Sequence, residues 1–117
     1  MDCHDDDARA AYAHKISVLN DRLRREMPHG SVMMTHAVAQ LDNDKLREIT
    51  TAIQAFEQFG PDNDPWGEHD FGQVEIDGEA YFWKIDAYDL NLEWGSPDPT
   101  EEAVTRRILT IMTAADL

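Results

Sequence analysis

The sequence predicts an α+β domain in which three helices pack on a small, mostly antiparallel sheet, in the order α-β-α-β-β-α. Three observations carry this reading. Apolar residues recur at helical spacing in two long segments, Asp77-Gly78 separates two alternating runs, and Asp98-Pro99 opens an apolar closing segment. With 117 residues, the chain has the length of one domain that can bury a core. That domain is expected over residues 8–117, after a flexible acidic N-terminus over residues 1–7.

In residues 8–27, Tyr12, Ile16, Leu19 and Leu23 form one stripe of an amphipathic helix. Asp5, Asp6 and Asp7 precede it and Arg22, Arg24 and Arg25 end it, matching the helix dipole. Pro28 and Gly30 stop it. Val, Met and Thr then predict a strand over residues 32–38. Asp42 or Asn43 can cap a second helix reaching about Phe59, with Leu46, Ile49, Ile53 and Phe56 on one face. Gly60-Pro61 ends that helix.

A hairpin over residues 70–87 follows. Asp-Gly favours a two-residue type I′ turn, which pairs residues whose numbers sum to 155. Val74 then faces Tyr81 and Gly72 faces Trp83, leaving room for the indole. After an extended run over residues 88–94, Asp98 as N-cap, Pro99 at N1 and Glu101 at N3 predict a closing helix over residues 99–115. Its buried side would carry Val104, Ile108, Ile111, Met112 and Ala115.

Apolar residues make up 42% of the chain, with three Trp, three Tyr and four Phe, whereas the net charge is −14. Such aromatic content separates it from disordered acidic tails. The acidic excess is concentrated: residues 60–102 hold thirteen acids against Lys84 alone. There is no run of about eighteen apolar residues. The opening MDCHDDDAR is neither basic nor apolar, so a cytoplasmic chain away from membranes is expected. The single cysteine, Cys3, allows no internal disulfide and no zinc framework, and reads as a free thiol near a frayed end.

Candidate chemistry centres on PDNDPWGEHDFG, residues 61–72. Asp62, Asp64 and Gly67 fit positions 1, 3 and 6 of a calcium hand. Trp66 and Gln73 fail at positions 5 and 12, and Pro65 stiffens the loop. Glu68, His69 and Asp70 are metal-binding types, but as consecutive residues they diverge in an extended segment. His36 could meet His69 only through the fold. Ser31 and Ser96 lack a nucleophile-elbow context, and no glycine-rich loop cradles phosphate. No cofactor is expected.

Four runs, NDPWGEHDFG (residues 63–72), FWKID (82–86), GSPDP (95–99) and TRRILTIM (105–112), resemble the domain-of-unknown-function family 3768. The resemblance spans roughly residues 20–116. Family members commonly carry a second aromatic after WKID, where this chain has Ala87. It implies a setting on plasmids and mobile elements of alphaproteobacteria, and it transfers no catalytic residues.

The charge itself suggests the function. Duplex DNA carries one negative charge per ~1.7 Å of axis, and proteins that hold it do so through Lys and Arg grooves. A folded acidic surface could occupy such a groove. The expectation is a non-enzymatic acidic binding protein acting on a basic nucleic-acid-binding partner, in its concrete form an anti-CRISPR inhibitor that mimics DNA charge against a CRISPR effector. Direct DNA or RNA binding is not expected. The candidate contact residues are Asp62, Asp64, Trp66, Glu68, Asp70, Glu75, Asp77, Asp86, Asp89, Glu93 and Trp94, with the two indoles as anchors if exposed. Two alternatives stand beside it: a metal-assisted enzyme using Glu68, His69 and Asp70, and a plasmid-borne adaptor without mimicry.

Overall fold

The computed structural model describes the backbone of residues 3–117 and the side chains of residues 7–117. It is an α+β structure of three helices and a four-stranded mixed sheet. Helix α1 spans Cys3–Glu26, and β1 (Val32–Met34) leads directly into the single turn α2 (His36–Ala39). Helix α3 spans Asn43–Gln54. Strands β2 (Phe71–Ile76), β3 (Glu79–Tyr88) and β4 (Arg106–Thr113) complete the sheet in spatial order β1-β4-β3-β2. Among the described residues no helix is long and apolar enough to cross a membrane.

The hairpin forms in the expected register. Every β2–β3 pair, from Ile76 with Glu79 to Phe71 with Lys84, obeys the sum of 155. Asp77 and Gly78 take φ of 53° and 83°, the left-handed pair of a type I′ turn. The Trp83 indole lies on Gly72, where an added Cβ would fall 2.6 Å from Nε1. Helix α3 is capped by Asp42, whose carboxylate accepts from the Lys45 N–H at 2.8 Å. It ends at Gln54 rather than near Phe59. Phe56 and Phe59 instead fold over Trp83 with edge-on ring contacts at 5.6 and 6.2 Å.

Three sequence expectations are corrected. Residues 106–113 are a strand, and no closing helix forms. Central between β1 and β3, β4 buries residues on both faces, so its near-continuous apolar run lacks the alternation that would distinguish it from a helix. The capping residues serve local turns: Asp98 accepts from the Thr100 N–H, and Glu101 caps a 3-10 turn, Glu102–Val104. The strand expected over residues 32–38 stops at Met34, because the last ladder bond, Thr35 N–H to the Ile111 carbonyl, precedes the turn that buries Val38. The sheet is also mixed, since β1 runs parallel to β4.

The core gathers Val38, Ile49, Ile53, Val74, Tyr81, Trp83, Ile85, Leu109 and Ile111 on one side of the sheet. Helix α1 starts earlier than expected, and its inward face keeps Ile16 and Leu23 of the expected stripe but is rotated away from Tyr12. Tyr12 is 44% exposed, while Ile16, Asn20 and Arg24 are buried. Arg24, which the sequence assigns to the helix dipole, is completely enclosed.

Candidate functional site

The bend over residues 60–70 is tied by its own side chains. Asn63 accepts from the Gly60 N–H and donates to the Gln58 carbonyl, both at 2.7 Å. The Asp64 carboxylate accepts from the His69 N–H at 3.2 Å. This holds His69 at φ 55°, a conformation that costs a side chain roughly 1–2 kcal/mol. The imidazole lies flat on Phe59 at 3.9 Å, with Nδ1 3.0 Å from Asp21 and Nε2 3.6 Å from Asp64.

Asp21 also accepts from Arg24 at 3.0 Å. The same guanidinium donates to the Ile53 and Gln54 carbonyls at 3.0 and 3.1 Å, closing the C-terminal end of α3. It stands 5.5 Å from the Phe59 ring and 5.6 Å from Trp83. One turn earlier, Asn20 donates to the Glu68 carbonyl at 2.9 Å and accepts from Arg107 Nε at 3.0 Å. Asn20, Asp21 and Arg24 thus clamp α1 to the bend, to α3 and to β4. Asp21 and Arg24, three apart in the sequence, share a helix face, but their distant partners could not be read there.

His69 is therefore an element of this clamp. Glu68 and Asp70 turn elsewhere, into a hollow of about 240 Å³ bordered by Tyr12, Ile85 and Asp86. Burial pushes both carboxyl groups above the ordinary carboxylate range; Asp70 and Asp64 add to the effect on Glu68, and Asp64 and Asp86 to that on Asp70. Among the described residues no three His, Cys, Asp or Glu side chains are grouped to hold a metal ion. His36 faces Gln40 at 3.4 Å and does not join His69.

The candidate contact residues divide by environment. The Asp64 side chain is 6% exposed and serves the clamp. Asp77 pairs with Lys45, and Asp86 with Lys84 at 3.1 Å. Asp89 organises the connection after β3 by accepting from the Glu93 N–H at 3.0 Å. Asp62, Glu75 and Glu93 are exposed. Both indoles are open to water, Trp66 at 76% and Trp94 at 74%. Trp66 borders a hollow against α1 with Ala10 and Ala13. Trp94 shares an exposed loop with Leu90 and Leu92, closed at its base by the Tyr88–Gly95 bridge.

The family model described as protein of unknown function (DUF3768) matches residues 34–116, and the chain belongs to that family. Asn20, Asp21 and Arg24 lie before the matched stretch, although their partners Ile53, Gln54, Glu68, His69 and Arg107 lie within it. No curated protein and no solved structure matches the chain.

Proposed function

We propose that the chain is a non-enzymatic acidic binding protein that occupies a basic, nucleic-acid-binding surface of a partner. The observation that carries the reading is the exposure of Trp66 and Trp94, each in a loop of the acidic segment. Large indoles left in water are unfavourable for an isolated domain, and Trp is enriched among the residues that dominate protein interfaces. Around them Asp62 and Glu93 stand exposed, available to meet lysine and arginine. The concrete form is a plasmid or phage inhibitor of the anti-CRISPR kind, acting in the cytoplasm by imitating DNA charge on a CRISPR effector.

In this reading Asp62, Trp66, Glu68, Asp70, Glu75, Asp77, Asp86, Asp89, Glu93 and Trp94 contribute to the contact surface, and Asp64 acts through the bend it holds. The test is capture of basic nucleic-acid-binding complexes from a host lysate at low salt, followed by affinity measurements. Binding should weaken steeply with salt. Reversal of Asp62 and Glu93 to Lys should cost roughly tenfold or more in Kd, as should Trp66→Ser with Trp94→Ser. Affinity indifferent to salt and to charge reversal would refute the proposal.

A further inference from the structure

The two edges of the sheet are built differently. At one edge β1 has only three residues and turns at once into α2, the kind of shortening that normally blunts an edge. At the other, β2 runs for six residues in unbroken register with β3 and contains no proline, lysine or bulge. Ile76 and Glu79 close a two-residue turn and so exchange both ladder bonds, as do the pairs of Val74 and Gly72. The backbone N–H and C=O groups of Gln73 and Glu75 must therefore point away from the sheet. Both residues are exposed.

A groove of about 720 Å³ runs beside this edge, between β2 and the C-terminal end of α3. Ala52, Ala55 and Phe56 form its apolar wall; Glu57 and Glu75 supply its charge, and among the described residues no lysine or arginine lines it. Arg25 reaches Glu57 at 3.7 Å from outside that lining. The groove is bordered by Phe71 to Glu75 of the strand and is open to solvent.

We infer that the β2 edge and its groove bind an extended basic segment of a partner protein, which adds to the sheet as a fifth strand. Main-chain bonds to Gln73 and Glu75 supply the pairing. Alternate side chains of the added strand fall on opposite faces. One set, apolar, meets Ala52, Ala55 and Phe56; the other, Lys or Arg, lies over Phe71 and beside Glu75. A second copy of this chain fits the edge poorly, because it brings another net charge of −14 and its own Glu75. The inference rests on the proposed function in one respect, that the partner is basic.

The test uses the full chain and two synthetic heptapeptides of alternating lysine and valine, one ordinary and one methylated on every peptide nitrogen. The methylated peptide keeps the charge and loses its donors. The ordinary peptide should slow amide exchange at Gln73 and Glu75 by roughly tenfold or more, and the methylated one should not. Gln73→Pro removes an edge donor that β3 does not use and should weaken binding by roughly tenfold or more. Glu75→Lys should do the same and keeps the reading secure if the proline disturbs folding.

Equal binding of the two peptides would overturn the edge pairing while leaving the charge-driven reading intact. Failure of both to bind would also overturn it, as would a doubled mass with Gln73 and Glu75 already protected in the free protein. The charge-driven reading is judged separately, by salt and by Asp62 and Glu93, which lie outside the groove.

Discussion

Carboxylates occupy two contrasting regions of this molecule. At the joint between α1 and the bend, Asp21 and Asp64 are 17% and 6% exposed and are engaged by Arg24 and His69. On the outer loops, Asp62 and Glu93 stand in water, and no lysine or arginine pairs with them among the described residues. One region uses negative charge to fix the chain, and the other leaves it available. Net charge alone counts these acids together, although only the second group can contribute freely to an external field.

The largest test of this contrast is Arg24→Ala. It leaves Asp21 with His69 alone and uncovers the last carbonyls of α3, and should cost about 3–5 kcal/mol in urea denaturation. An unaltered urea midpoint would show that the joint does not depend on its buried cation. Gly72→Ala should follow at about 1–3 kcal/mol, since the new methyl meets an enclosed indole. It would disturb the scaffold beneath the bend without touching any charge, so its effect should be insensitive to salt.

An intermediate effect is expected at Glu68 and Asp70, which lie between the two settings. Their raised pKa values mean that the folded chain retains protons the unfolded chain has released. Their contribution to stability therefore falls as pH rises through that window and recovers on acidification. Glu68→Gln and Asp70→Asn should each raise Tm modestly at neutral pH, and the gain should vanish by about pH 4. Asp98 and Asp116 run the other way: hydrogen bonds from Thr100, and from Thr113 and Thr35, hold them low, so their support is lost in stronger acid. A gain that persisted in acid would remove Glu68 and Asp70 from this intermediate position. The smallest effect belongs to Asp62→Lys with Glu93→Lys, which should leave the urea midpoint unchanged while altering capture of a partner.

Legibility followed the range of the interactions. The hairpin register was readable to the residue, because Asp77-Gly78 fixes it locally. The cap of α3 is readable to within one residue, as Asp42 or Asn43, for the same reason. Strand β4 reads as a helix in the sequence because a strand buried on both faces loses its alternation, and because Asp98 and Glu101 also suit a short turn. Parallel pairing of β1 with β4 leaves no local mark. At the candidate site, the sequence picked out Trp66 and Trp94 and made their exposure the deciding question. It could not foresee that Asp64 is occupied by the bend, or that His69 answers to Asp21, 48 residues away.

The three indoles, one fully enclosed and two open, also make the chain its own optical instrument. Trp83 should emit toward the blue and report unfolding, whereas Trp66 and Trp94 should emit toward the red and respond when a surface covers them. The acidic field around the outer pair should draw in caesium and repel iodide, so the two quenchers should differ most in dilute salt and converge as salt is added. That divergence measures the local potential at the proposed contact loops in the free protein, before any partner is identified.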